Sequence, residues 1–366
     1  MTDRPDAARL LHLRGETLAK GDPVALPLTL ASMYHLPGDP GGVAAYGRSD
    51  NPTWEALEAA LGHLEDAPAL VFPSGMAAIA AALFATLGAG DRLLMPSDGY
   101  YTPRVLAENF LSGLGIVVET RPTARFTEGG FDGYRAVLIE SPSNPGLDLC
   151  DLAAVTGAVR AAAGVSIVDN TTMTPFGQRP LELGADIVVA SDTKAPGGHS
   201  DILMGHVASR DGQVMARVAD WRKLTGAIPG PFEAWMLHRS LATLELRFAR
   251  MCDNAQIIAE RLRGHPALTA LRFPGLPDDP GHNLARSQMT RMGFLIGLTL
   301  ADEASAERFI AECRLITPAT SFGGVHSSAE RRARWGDAVA PGFVRLSVGC
   351  EPVQDLWRAI DAALRG

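Results

Sequence analysis

The chain has little of what would assign it to a secreted, membrane or nucleic-acid-binding class. Its 366 residues include only four cysteines, Cys150, Cys252, Cys313 and Cys350. They are scattered, form no CxxC pair and have no metal-ligand spacing, so they read as separate reduced thiols and fit a cytoplasmic protein. No apolar run approaches the roughly 18 residues of a membrane span. The opening MTDRPDAARLLHLRGETLAK mixes charges throughout and lacks the apolar centre of a secretory signal. Positive charge is in deficit: the net charge is −8, which argues against a generally basic nucleic-acid binder. No GxGxxG follows a first strand, and FPSGMA does not fit that pattern, which removes the support for a nicotinamide dehydrogenase. HExxH is missing too, and His199, His206, His238 and His326 are dispersed, so no metal site is expected. Internal repeats and low-complexity linkers are absent.

What is present is an ordinary globular composition, 46% apolar and 20% charged, long enough for roughly two domains. The first 45 residues end in the Gly- and Pro-rich LPGDPGG and read as an arm. A helix is expected from Thr53, taken as its cap, through WEALEAALGHLED. Short apolar runs then alternate with helical ones. ALVF precedes the helix SGMAAIAAALFATL, RLLM precedes a helix from about Tyr101, and GIVVET, AVLIE, SIVDN and DIVVAS read as strands. LAAVTGAVRAAAG is a helix between two of them. This alternation predicts an α/β domain with a mostly parallel sheet. Beyond residue 230 the pattern changes. PFEAWMLHRSLATLELRFARMCDNAQIIAERLRG reads as one long helix, followed by strands (MGFLIGLTL, GFVRLSVG) and helices (ASAERFIAEC, DLWRAIDAALR) of a smaller α+β domain. The expected division is an arm at 1–45, a large domain at 46–245 and a small domain at 246–366.

Five short segments carry candidate chemistry, each weak alone. Lys194 in SDTKAPGGHSD follows the apolar strand DIVVA, where α/β sheets bind ligands. A desolvated amine there has a lowered pKa and can attack an aldehyde. Ser191 and Thr193 set two hydroxyls beside it, suited to a phosphate. Asp169 ends the strand SIVD and could hold a protonated ring nitrogen, since a buried aspartate needs a cationic partner. In FPSGMAAI the free amides of Gly75 and Met76 open a helix and form an anion site. Tyr100 or Tyr101 could stack on a flat cofactor. Tyr46 and Arg48 offer a phenol and a guanidinium for a phosphate.

YGRSDNPT, FPSGMAA, ESPSNP, VDNT and SDTKAPGGHSD occur in the order seen in the trans-sulfuration family, the Cys/Met-metabolism pyridoxal-phosphate enzymes of fold type I. The chain resembles that family over about residues 25 to 355, including PFEAWMLHRSLATLELR, SFGGVHS and RLSVGCEP. The resemblance implies a large domain with a mostly parallel seven-stranded sheet plus a smaller α+β C-terminal domain, and pyridoxal 5'-phosphate as cofactor. It implies that Lys194 is the Schiff-base lysine and proton shuttle, that Asp169 partners the pyridine nitrogen, and that Tyr100 stacks on the ring and assists proton transfer. Gly75, Met76, Ser191 and Thr193 match the phosphate cradle. Tyr46 and Arg48 resemble residues that reach the phosphate in a neighbouring subunit, which implies a homo-oligomer with shared active sites, a tetramer being usual. Arg345 looks like the clamp for the substrate α-carboxylate, helped by Asn144 and the backbone near Ser321.

Departures are also visible. Ala195 and Pro196 follow the lysine where an aromatic and an aliphatic residue are usual, and a disabled site would leave a binding protein. Thr102 stands where methionine γ-lyases carry a cysteine. His326 replaces a glutamate common in cystathionine lyases and is expected to line the pocket. The combination of DTKAPGGHSD, TGAIPGPFEAW and SFGGVHSSAERRARWG most resembles bacterial cystathionine γ-lyases. The expected reaction is γ-elimination of cystathionine, with β-elimination, γ-replacement and sulfhydrylation as alternatives on the same fold.

Overall fold

A computed structural model describes residues 6–366. Seven strands build the larger sheet: β1 (Ala69–Phe72), β2 (Arg92–Pro96), β3 (Val117–Arg121), β4 (Ala136–Glu140), β5 (Val165–Asp169), β6 (Ile187–Ala190) and β7 (Gly205–Ala208). Their order is β1-β7-β6-β5-β4-β2-β3. The run from β6 to β3 is parallel, and β7 lies antiparallel between β6 and β1. The carboxyl ends of β1, β4, β5 and β6 therefore open on one edge. β4 is buried along its whole length, as expected of a parallel strand covered on both faces. One apolar layer packs the helix Gly75–Thr86 and the helix Gly212–Thr225 on one face. The helix Leu152–Ala161 closes the other.

A second sheet holds β8 (Leu268–Arg272), β9 (Leu295–Leu300), β10 (Thr317–Pro318), β11 (Ser328–Arg331) and β12 (Phe343–Ser347), in the order β10-β11-β12-β9-β8. The helices Glu303–Glu312 and Val353–Arg365 pack on it in a separate core. Three of these strands, β8, β10 and β11, and β7 of the larger sheet correspond to no strand expected above. GHVA carries His206, and SAER is polar at every position but one, yet both are fully buried. Ion pairs inside the fold replace the apolar alternation by which a strand is read.

Two local expectations are corrected. The helix Pro52–Glu65 is capped by Asn51, whose side chain accepts from the Thr53 amide at 2.8 Å. Pro52 fills the first turn, where its missing N–H costs nothing, and the Thr53 hydroxyl accepts from the Thr29 amide at 3.0 Å. The long helix after residue 230 is two helices, Pro231–Leu241 and Leu244–Leu262. The Ser240 carbonyl, at the break, accepts from the Thr243 amide, the Thr243 hydroxyl and the Arg247 guanidinium. These donors satisfy the carbonyl outside the regular ladder, so the chain turns there. Residues 1–5 lie outside the described residues; among those described, the stretch before Asn51 carries two short helical turns, Ala7–His12 and Leu13–Thr17, and one isolated bridge between Met33 and Tyr46. We retain the domain division near 245 as a proposal, since the break falls between the chain segments that build the two sheets.

Candidate active site

A cavity of about 380 Å³ lies at the carboxyl edge of the larger sheet, where open α/β sheets bind ligands. The loop after β1 enters the helix Gly75–Thr86 there. Ser74 caps that helix through its hydroxyl to the Ala77 amide at 3.1 Å. Its cap bonds reach Ala77 and Ala78, which leaves the Gly75 and Met76 amides without helix partners. Close packing explains the glycines: a Cβ on Gly75 would fall 2.5 Å from the Ser191 Cβ, and one on Gly205 2.7 Å from the Gly75 Cα. The result is an anion cradle of helix N–H groups facing Ser191. The Thr193 hydroxyl lines the same cavity, but it also bonds the backbone of Met204 in both directions.

Lys194 stands opposite the end of β5. Its ammonium nitrogen is 5.3 Å from the centre of the Phe322 ring. Burial, then the charge of Arg345, lower its amine to about 8, against the pull of Asp169. The segment after the lysine is fixed by Arg247, which donates to the carbonyls of Ala195 (2.6 Å) and Pro196 (3.1 Å). The unusual residues after the lysine are thus accommodated while Lys194 lines the cavity. Asp169 uses one carboxylate oxygen for the Thr171 amide (2.9 Å) and hydroxyl (2.5 Å). Its second oxygen has no hydrogen-bond partner among the described residues. Burial holds its carboxyl above the ordinary range, opposed by Thr171 and by the charges of Lys194 and His206. An acid so placed would be ionised by a cationic N–H arriving in the cavity.

Arg345 on β12 closes the far side. It donates to Asn144 Oδ1 at 2.6 Å, to the Thr320 carbonyl at 2.5 Å and to Glu330 at 3.2 Å. Three of its five N–H donors are used, so two remain for a ligand. Its guanidinium carbon is 4.9 Å from the same Phe322 ring that Lys194 faces.

The cavity brings together Gly75, Met76, Tyr100, Asn144, Asp169, Ser191, Thr193, Lys194, Ser321 and Arg345. Tyr46, Arg48 and His326 are not among its lining residues. Tyr46 is 49% exposed and Arg48 lies over its ring, 5.5 Å from the centre, donating to the Lys223 carbonyl. Both belong to the irregular arm, away from their own chain's cavity. The expectation that His326 lines the pocket is corrected for a physical reason. After Phe322 the backbone turns at Gly323 (φ +81°), packs on Lys194–Ala195 and pairs with the loop beyond, Val325 donating to Gly198 at 2.9 Å. The half-buried His326 ring then sits by Gly324, outside the cavity.

Other lining residues were not singled out from sequence. Glu140 ends β4 and accepts from the Tyr100 and Asn144 amides, each at 2.7 Å. It thereby ties the Tyr100 loop to the Asn144 loop. Burial, then repulsion from Asp169, raise its carboxyl to about 8. Arg332 and Trp335 form a wall around Glu330, which is 1% exposed. Glu330 accepts from Arg332 (2.7 Å), Arg334 (2.9 Å) and Trp335 (2.5 Å) besides Arg345. Burial alone would raise the Glu330 carboxyl, but hydrogen bonds from Trp335, Arg332 and Arg334 hold it below its ordinary range. In the sequence these residues appear only within SFGGVHSSAERRARWG, a segment that carried the family resemblance with no role given to Glu330, Arg332 or Trp335.

Glu330→Gln is expected to destabilise the protein by about 3–5 kcal/mol, because it leaves buried guanidinium groups without their carboxylate. Chemical denaturation measures this. The carboxylate's contribution is present above its ordinary pKa and is lost as pH falls through the lowered one. The variant's deficit should therefore shrink in acid.

Fold and site define an α/β protein with a half-enclosed cavity at its sheet edge, lined by a lysine of lowered pKa. Residues 10–365 match the family model for Cys/Met metabolism PLP-dependent enzymes. A Streptomyces coelicolor protein named "Putative cystathionine gamma-lyase" is 52% identical over 93% of this chain and 90% of its own. The cystathionine gamma-lyase of Bacillus subtilis is 35% identical over 93% of this chain and 94% of its own. The solved structure of cystathionine gamma synthase from Xanthomonas oryzae pv. oryzae superposes with a TM-score of 0.94 at 32% identity, covering 100% of this chain and 98% of that one. The chain belongs to the Cys/Met metabolism family of pyridoxal-phosphate-dependent enzymes. The residues present fit that cofactor: helix amides for a phosphate, an aspartate oxygen open to a ring N–H, and an amine to hold the aldehyde carbon.

Proposed function

We propose that this enzyme catalyses γ-elimination of cystathionine, converting cystathionine and water to cysteine, 2-oxobutyrate and ammonia. The observation that carries the reading is that Lys194 and Arg345 line one cavity beside the same Phe322 ring, 5.3 Å and 4.9 Å from its centre. An amine and a guanidinium so placed suit an α-amino acid, with its carboxylate on Arg345 and its α-carbon near Lys194. The 52% identical relative supports the lyase reading over the others.

When bound, pyridoxal phosphate supplies an electron sink for negative charge at the substrate's α- and β-carbons. The chain's residues do the rest. Gly75, Met76, Ser191 and Thr193 would hold the phosphate, and Asp169 the protonated ring nitrogen. Tyr100 would cover the ring face. The Arg345 fork, held in register by Asn144 and Glu330, binds the α-carboxylate. Lys194 would take the proton from Cα and pass it on, then take one from Cβ and give it to the sulfur as the Cγ–S bond breaks; water then displaces the amino group as ammonia. The Lys194 amine, lowered to about 8, is neutral often enough at physiological pH to act as that base.

Tyr46 and Arg48 are proposed to serve the phosphate of a neighbouring subunit. The exposed apolar arm, with Val24 (82%), Leu30 (74%) and Met33 (80%), supports coverage by another copy of the chain. We propose a tetramer in the cytoplasm.

Product analysis tests the reaction. Holoenzyme mixed with cystathionine is expected to release 2-oxobutyrate and cysteine. Pyruvate with homocysteine would replace this reading by β-elimination. Inertness toward cystathionine, with turnover of an activated homoserine ester by cysteine or sulfide, would replace it by γ-replacement.

A further inference from the structure

Behind the lysine loop lies a buried charged cluster that the proposed mechanism does not use. Glu65 ends the helix Pro52–Glu65, His206 sits on β7, and Asp192 stands between Ser191 and Thr193. They are 4%, 1% and 0% exposed. The imidazole Nδ1 is 2.9 Å from Asp192 Oδ2, and Nε2 is 3.3 Å from Glu65 Oε1. With a carboxylate on each ring nitrogen, both nitrogens must be donors to satisfy the contacts, so the ring is an imidazolium. Burial opposes that charge, but Asp192 and then Glu65 outweigh it and raise the imidazole to about 10.

The cluster's position gives it a task. Asp192 is absent from the lining of the large cavity, while its neighbours Ser191, Thr193 and Lys194 line it. Its side chain anchors the turn from within, and its carbonyl accepts from the Gly197 amide at 2.7 Å. The cluster also reaches Asp169. Thr171, which donates to Asp169 and accepts from the Ser191 amide at 2.8 Å, lines a small internal cavity together with Glu65, Asp192 and His206. The His206 charge favours the ionised form of Asp169. The charged groups around the imidazolium are thus Glu65 on its helix, Asp192 on the loop and Asp169 at the end of β5.

We propose that His206, clamped between Glu65 and Asp192, is a positioning residue for the cofactor site: it fixes the Ser191–Lys194 turn and supplies a positive charge behind Asp169. The inference rests on the reading of Lys194 and Asp169 as cofactor residues. It explains why a strand carrying a charged residue is buried in the large sheet, between β1 and β6, and why Asp192 lies inside the lysine motif.

Two measurements test it. In wild-type holoenzyme with ¹⁵N-labelled histidine, one imidazole should remain doubly protonated through pH 8, where exposed histidines are neutral. Finding every histidine neutral at pH 8 overturns the proposal without touching the role of Lys194. In His206→Gln, loss of the cation raises the Asp169 pKa, so Asp169 takes up its proton at higher pH. The acid limb of cofactor retention, followed by visible absorbance and by release on dialysis, should move up by roughly 0.5–1 pH unit. Glu65→Gln leaves the Asp192 contact in place and should move it less. A lowered melting temperature with an unmoved acid limb would show a merely structural histidine and overturn the proposal. Should His206→Gln fail to fold, the Glu65→Gln limb and the wild-type titration decide alone. Colour retained in a Lys194→Ala variant on dialysis would instead remove the lysine reading on which both depend.

Discussion

Lys194→Ala is expected to reduce turnover by roughly 10⁴-fold or more, since one side chain serves as both cofactor anchor and proton carrier. The folded protein should be retained, because no hydrogen bond of the Lys194 side chain holds the loop. That loop is held by Arg247 and by its own backbone. The purified variant should lose its yellow colour on dialysis, whereas the wild type keeps it. Near-normal turnover in the variant would end the assignment. The lowered amine also predicts a pH dependence of cofactor uptake by the apoenzyme. With a pKa of about 8, roughly one amine in ten is neutral at pH 7, against roughly one in three thousand for an ordinary lysine. The rate of cofactor capture should rise as pH passes through about 8 and level off above it. A flat profile would mean that the amine is not the attacking group.

Arg345→Lys is expected to raise KM for an α-amino acid substrate by about 10²-fold while changing kcat much less. A lysine keeps a positive charge near Glu330 but cannot reproduce the planar fork. Charge-assisted hydrogen bonds are worth about 1.5–3 kcal/mol each, and losing one or two of them gives a change of that order. The Asn144 and Thr320 contacts are lost as well, so the cavity wall loosens. Steady-state kinetics separate the outcomes: a drop confined to kcat would place Arg345 near the chemistry rather than on the carboxylate. Substrate analogues lacking the α-carboxylate should be indifferent to the substitution.

The family and the lining of the candidate site were legible because they are carried by short ordered motifs. FPSGMAA and SDTK each follow a strand and SIVDN ends one, and an α/β sheet with parallel order brings such strand ends to one edge. The large cavity accordingly collects Gly75, Asp169, Ser191 and Lys194. Arg345 and Asn144, 201 positions apart, meet at 2.6 Å, and only the family resemblance paired them beforehand. The helices Gly75–Thr86 and Leu152–Ala161 were readable from their apolar runs. The helix break at Ala242–Thr243 was not, because it is made by Arg247 and Ser240 bonding across the turn.

Sequence by itself determined the class of fold and the cofactor family, through strand-end motifs whose local geometry depends on nearby residues. Tertiary structure alone decided that His326 leaves the cavity, since Gly323 turns the backbone onto the lysine loop. It also buried charge inside two strands: His206 on β7 meets Glu65 from a helix 141 positions away and Asp192 on the lysine loop, and Glu330 on β11 meets Arg332, Arg334 and Arg345 folded around it. A buried charge is stable only with its partner, and the partner's position is a property of the folded chain.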